Sequence, residues 1–297
     1  MRSKGTRVGS GVRTSANNET DEHGWDVDPE DESGAAVVAA VGRQLKVWRE
    51  AAGMRAAEFG VLIGYGEDLI YKVEGGRRIP RPEYLDRSDD VLGAHGKIAV
   101  MKQDLAVVRY PKKVRDLASA EAKAVELSAY VAHGLHGLLQ TPGHARALFE
   151  ARQPPYSQDE VERMVAARMA RQSIFERLPA PSLNFVQEES ALMRPIGGRM
   201  EWRRQLERLL EVGDMRNVTL QVMPTHREAH PGMDGDINLM KFADGTAIGR
   251  SHGAFNGRRV TDPRHLRILD LRHGIIRAEA LTPGETRALI ERVWGAT

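Results

Sequence analysis

Two histidines four residues apart, His226 and His230, stand beside Asp234 and Asp236 in the stretch THREAHPGMDGD. Two imidazoles and a carboxylate are a donor set for a zinc-like ion. Four-residue spacing aligns two histidines only on a helix, however, and the proline and glycines here predict a loop, which argues against a metal. Glu188 and Glu189 are the residue types of an acid/base pair, but neighbours on a strand point to opposite faces. Arg168, Arg171 and Gln172 share the polar side of a predicted helix. They could hold an anionic ligand, although a solvated face is the commoner outcome. The chain has no cysteine, which removes disulfides, thiolate metal sites and thiol nucleophiles. No P-loop, nucleophile elbow or dinucleotide fingerprint occurs. The expectation is a protein that is not an enzyme and carries no cofactor or metal.

A different constellation lies in YGEDLIYKVEGGRRIP, residues 65–80. A helix there with Leu69, Ile70 and Val73 inward leaves Glu67, Asp68, Tyr71 and Lys72 outward, and Arg77, Arg78 and Arg81 follow at once. Guanidinium groups suit phosphates, and a polar helix edge suits base edges in a major groove. The two acids have two readings, which can hold together. In the first turn they complement the positive end of the helix dipole, worth about 0.3–1 kcal/mol each. Alternatively, one accepts from a cytosine amino group, with Lys72 and the arginines supplying the cations around it.

These residues need elements to hold them. Val37, Val38, Val41, Leu45 and Trp48 recur at helical spacing and predict a first helix closed by Gly53. A second, over about 55–62, buries Phe59, Leu62 and Ile63. The turn GYG precedes the third, and Pro82 to Leu92 forms a further one. Two short helices joined by a tight turn inside such a bundle make a helix-turn-helix unit. We therefore expect a disordered tail over 1–35, a helix-turn-helix domain over 36–100, a helical connector over 101–120 and a mixed α/β domain over 121–297, α+β overall.

The tail, residues 1–33, has four basic residues against eight acidic ones, which leaves the rest of the chain at +6. It has almost no large apolar side chain to offset the entropy of ordering. It reads either as an acidic arm that competes with DNA for a basic face or as a solvated extension, the reading that composition favours. No run approaches the ~20 apolar residues of a membrane helix, and the N-terminus lacks a secretion signal, so the cytoplasm is expected. The 36–100 block has ten basic and nine acidic residues. One copy would bind DNA weakly, so a homodimer spanning two half-sites ~34 Å apart is expected. The basic knot RYPKKVR, 109–115, reads as a solvated connector in preference to a further backbone contact.

In the second half, AVELSAYV (124–131) alternates as a half-buried strand with Val125, Leu127, Ala129 and Val131 on its inner face. Thr141-Pro142 starts a helix, and Ser157 with Glu160 forms a capping box for a long helix reaching about Leu178. SLNFVQEE and NVTLQVMP read as strands, DINLMKFADGTAIGRSH as a hairpin turning at Asp244-Gly245, and two helices follow Asp262 and Thr282.

AGMRAAEFGVLIGYGEDLIYKVEGGRRIP resembles the Xre-type, lambda-repressor-like helix-turn-helix. Ala52, Gly53, Phe59, Gly64, Val73, Glu74, Gly76, Arg78 and Pro80 stand at its anchor positions. Departures are Arg55 and Gly66 where the family has capping serines, Ala56 for a phosphate-binding glutamine, and Gly60 for alanine. Over 120–295, GLLQTPGHARAL, RMARQSIFER, EESALMRPIGG, RRQLERLLE, NVTLQVMP, AHPGMDGDINLMKF and AEALTPGETRALIERV resemble, in order, the antitoxin-like C-terminal domain of actinobacterial WhiJ-like regulators. GTAIGRSHGAF (245–255) departs from its aromatic-acidic strand. The resemblance implies a dimeric regulator of transcription that reads a double-stranded operator, often beside a small acidic partner protein, in developmental or secondary-metabolite control. The alternative is an antitoxin-like interaction module whose DNA-binding domain is vestigial.

Overall fold

Helix α1 (Glu32–Ala51) starts where the Asp31 carboxylate accepts from the Gly34 N–H at 2.9 Å, and its apolar stripe Val38, Val41 and Leu45 is buried. The computed structural model describes residues 24–29, 31–251 and 259–297. Most of the acidic tail (1–23 and 30) and positions 252–255 of the departing GTAIGRSHGAF stretch lie outside them. The chain divides into two units, Met1–Lys112 and Lys113–Thr297. The first is helical and the second combines helices with a mixed sheet, which makes the class α+β.

In the first unit, α2 (Ala56–Ile63), α3 (Glu67–Glu74), α4 (Pro82–Val91) and α5 (Lys102–Val108) follow α1. Phe59, Ile63, Ile70, Val73, Tyr84, Leu85 and Ile98 join the α1 stripe in one core. Burying each aliphatic or phenylalanine side chain among them stabilises the unit by roughly 1.5–3 kcal/mol. Leu62, expected inside, is exposed. With Phe59 and Ile63 four apart facing the core, the residue before Ile63 is rotated away from it. Gly60 costs the helix up to ~1 kcal/mol of propensity, but a Cβ there would lie 2.5 Å from the Tyr65 carbonyl. The missing methyl lets the turn fold back onto α2.

Two expectations need correction here. Trp25–Asp26, inside the expected disordered tail, forms strand β1, antiparallel to β2 (Arg78–Ile79). Trp25 and Val27 pack against the core, the apolar contact that the tail's average composition concealed. The expected 101–120 connector is not one element either. Leu105 and Val108 of α5 are buried in the first core, whereas α6 (Lys112–Lys123) begins at the boundary and packs Leu117 and Ala120 on the second.

The second unit holds β3 (Ala124–Val131), β4 (Ser182–Glu188), β5 (Val218–Met223), β6 (Ile237–Phe242), β7 (Ala247–Ser251) and β8 (Arg259–Val260), in the order β5-β4-β3-β6-β7-β8. β3, β4 and β5 run parallel, and β6 to β8 continue antiparallel. Helices α7 (Pro142–Glu150), α8 (Gln158–Ala170), α9 (Glu189–Leu192), α10 (Arg199–Gly213), α11 (Pro263–Glu279) and α12 (Pro283–Ala296) complete it. Leu127, Leu183, Phe185 and Met240 pack with Trp202 and Leu206 of α10 and Leu289 of α12. Tyr130, Val186 and Ile237 pack with Leu269 and Ile276 of α11.

β3 is therefore central and covered on both faces, not half-buried: Ser128 and Tyr130 are buried with Leu127 and Ala129, while Val125 is exposed. α8 has the expected capping box, Ser157 Oγ accepting from Glu160 N–H at 3.3 Å and Glu160 from Ser157 N–H at 2.9 Å. It ends at Ala170, where a 3-10 turn over 171–176 replaces the expected continuation to Leu178.

Three buried histidines set a pH dependence. Burial, with nearby Arg168 and Arg171, lowers the pKa of His136 from 6.5 to about 3. Burial and Arg168 lower His144 to about 4, and burial with Arg277 lowers His273 to about 4. Below pH 6.5 the unfolded chain takes up protons that the folded chain refuses, so stability is full above that value and falls towards pH 4. Each histidine contributes about 1.4 kcal/mol per pH unit at most. We predict that thermal unfolding followed by circular dichroism shifts to lower temperature across this window, and that His144→Phe makes the decline shallower.

Candidate nucleic-acid interface

α3 presents the polar edge that its apolar spacing implies. Leu69, Ile70 and Val73 are buried, and Glu67, Asp68, Tyr71 and Lys72 are exposed. Gly66, at the N-cap, offers no side-chain acceptor. The acids are held laterally. Tyr71 Oη donates to Glu67 Oε1 at 3.1 Å, and Lys72 Nζ lies 2.6 Å from Asp68 Oδ2. The Glu67 bond raises the Tyr71 pKa, so the hydroxyl stays a donor. Both acids therefore sit in the first turn and each has its own partner one turn on, an i,i+4 arrangement worth a few tenths of a kcal/mol, ~0.2–0.5.

The three arginines follow along the β2 segment. Arg77 is exposed, its Nε 3.4 Å from where a Cβ on Gly75 would lie. Arg78 is partly buried and ion-paired with Asp26 of β1. Arg81 is partly buried at the N-cap of α4. Lys46, Arg55, Glu67 and Tyr71 line a concavity between α1, α2 and α3. Arg55, in place of a capping serine, has its backbone N–H bonded to Glu58 Oε2 at 2.9 Å and its guanidinium to Glu58 Oε1 at 2.7 Å.

An ion pair that sequence reasoning missed lies behind this edge. Arg49 Nε and Nη2 donate to Glu74 Oε1 and Oε2 at 2.6 and 2.9 Å, and Nη1 donates to the Met54 carbonyl at 2.7 Å. Both side chains are under a tenth exposed, and the bond to Glu74 raises the Arg49 pKa. One guanidinium thus joins α1, the turn before α2, and the last residue of α3. The signal was present: Arg49 follows Leu45 on the apolar stripe, and Glu74 adjoins Val73. Opposite charges on the inner faces of two helices imply a pair.

In the second unit neither the Glu188–Glu189 pair nor the set of two histidines and two aspartates converges, although Glu188 and His230 meet. His230 Nε2 lies 3.3 Å from Glu188 Oε1, which also accepts from Tyr130 Oη at 2.5 Å. Asp234 pairs with Arg272, Asp236 accepts from Ala132 N–H, and Glu189 accepts from Thr225. His226 is exposed. Among the described residues no group of three such side chains could hold a metal ion. The solvated face expected for Arg168, Arg171 and Gln172 is corrected. Arg171 makes two 2.7 Å bonds to buried Glu121, Arg168 donates to Gln140 at 2.6 Å and stacks on Phe149, and Gln172 donates to the Gln140 carbonyl. The expected helix ends at Ala170, and the 3-10 turn points Arg171 inward.

Comparison with known families defines the class first. A model described as a helix-turn-helix domain matches residues 40–97, which supports a DNA-binding regulator and points away from an enzyme. A second model, described as Domain of unknown function (DUF5753), matches residues 114–292. The chain belongs to that family. No curated protein matches, and no solved structure does. No described helix is long and apolar enough to cross a membrane.

Removing one partner of a buried ion pair strands the other, at a cost of about 3–5 kcal/mol. Glu74→Ala should lower the unfolding free energy of the first unit by that order in urea titration, far more than Glu67→Ala, which removes an exposed acid.

Proposed function

We propose that the protein is a dimeric transcription regulator of the Xre type that reads an operator with α3. Glu67, Asp68, Tyr71 and Lys72 face base edges, and Arg77, Arg78 and Arg81 contact phosphates beside them. The observation that carries this reading is the helix-turn-helix match over 40–97 on a bundle whose α3 leaves those four polar side chains exposed. Residues 36–100 serve as the DNA-binding domain and 121–297 as a regulatory domain of the WhiJ-like, antitoxin-like kind. The latter senses a ligand or docks a partner, a small acidic protein among the candidates, in the cytoplasm. A homodimer supplies the second half-site, because one domain with nearly balanced charge neutralises few phosphates.

Binding of the full-length protein to fragments of its own promoter at two salt concentrations tests the proposal. Affinity should fall steeply with salt, and Arg77→Ala and Arg78→Ala should each reduce the logarithmic slope by about 1. A weak, flat response unaffected by either substitution would instead favour an interaction module with a vestigial helix-turn-helix.

A further inference from the structure

The segment 132–141 leaves β3 at the carboxyl ends of the parallel strands, where β6 switches the sheet to antiparallel pairing. Ligands of open α/β sheets bind outside such strand ends. Gly137 sits there against two cations: a Cβ would lie 3.4 Å from Arg171 Nη1 and 3.6 Å from Arg168 Nε. His136 Nε2 is 3.4 Å from the Asn238 amide, and Asn238 faces Arg250 across the β6–β7 ladder. Arg171 has Glu121 as its carboxylate. Arg168 and Arg250 are bonded to none among the described residues, and Nε of each, with Asn238 Oδ1, is buried without a partner.

We propose that this cluster binds a small oxyanion, a phosphate or carboxylate group, between Arg168, Arg171 and Arg250. Buried cations short of counter-charge are costly, and a bidentate oxyanion supplies both the charge and the acceptors. Burial outweighs the more distant carboxylates: it lowers the Arg168 pKa, with Arg171, to about 10, and it lowers that of Arg250 in spite of Asp116 and Glu121. Gly137, Asn238, Arg168 and Arg250 are all partly exposed, so an ion from solution can reach them.

The test is calorimetric titration of the full-length protein with inorganic phosphate and, separately, citrate, against sodium chloride at equal ionic strength. One saturable site for phosphate or citrate is expected, the stronger arm naming the group. Arg250→Gln and Arg168→Gln should each weaken it about tenfold with an unchanged circular dichroism spectrum. Heats no different from chloride, or saturable binding untouched by both substitutions, would overturn the proposal.

A separate observation concerns the first unit and rests on its proposed DNA binding. β1 lies along β2, and its Asp26 takes Arg78, one of the phosphate-contacting arginines of that reading. The docking is built into the chain: at Gly24, φ +79°, a Cβ would lie 2.3 Å from the Ile79 carbonyl. Asp28 anchors the next turn through Lys112 N–H at 2.9 Å. We infer that this acidic strand is an autoinhibitory strap that DNA must displace from Arg78.

Because Asp26 is largely exposed, the expected effect is small. Asp26→Asn should tighten promoter binding by the full chain about threefold, and Gly24→Val, which releases the strand without altering charge, should act in the same direction. In an Arg78→Ala background Asp26→Asn should do nothing. Binding by Asp26→Asn equal to or weaker than the parent's would overturn the strap and leave the DNA-binding reading standing. A parent that binds no promoter DNA removes both.

Discussion

The geometry of the first unit depends on the buried fork between Arg49 and Glu74. An isolated buried charge of either sign would cost several kcal/mol, and here each is neutralised by the other at 2.6 and 2.9 Å. The remaining guanidinium donor is spent on the Met54 carbonyl. The pair therefore works less as a source of net stability than as a constraint. It ties α1 to the α2 approach and to the end of α3, while burial of Leu69, Ile70 and Val73 turns the polar side of α3 outward. The exposed edge of Glu67, Asp68, Tyr71 and Lys72 is the consequence.

Charge is distributed differently in the two units. In the first, the exposed side chains of α3 pair within one helix turn and leave the edge with one net negative charge, and the cations that would meet a polyanion follow in the Arg77–Arg81 segment. On the proposed reading such an arrangement would separate orientation from selectivity, the arginines holding a backbone and the mixed polar edge discriminating among bases. In the second unit, Arg168 and Arg171 are turned inward. Glu121, Gln140 and the segment after β3 hold Arg171 and Arg168 at the sheet's carboxyl edge, which gives that edge an electropositive interior.

What the sequence disclosed was mainly local. Leu69, Ile70 and Val73 at helical spacing, the capping box at Ser157, the helix start at Thr282, and the Asp244-Gly245 turn all depend on residues a few positions apart. Their physics is contained in a short window. What stayed hidden depends on distant partners. Trp25 and Asp26 find their strand partners more than fifty residues on, and an acidic composition outweighed the one tryptophan that anchors them. The two-sided burial of β3 follows from α10 and α12 on one face of the sheet and α11 on the other, which no alternation within the strand encodes. The spacing of Arg168, Arg171 and Gln172 predicts one polar helix face, whereas the carboxylate that holds Arg171 lies fifty residues earlier, on α6. For the candidate interface, the outward set on α3 followed from its inward apolar residues. The Arg78–Asp26 contact did not, because the tail was averaged as a whole.

Hydrogen–deuterium exchange of the full-length protein, with and without a duplex carrying its upstream region, tests the central claim most directly. If α3 and the following arginines meet DNA on a frame fixed by Arg49 and Glu74, protection on adding duplex should concentrate in peptides spanning residues 65–82. Peptides of the sheet domain should be nearly unchanged. Protection confined to the second unit, or none at all in dilute buffer, would contradict it.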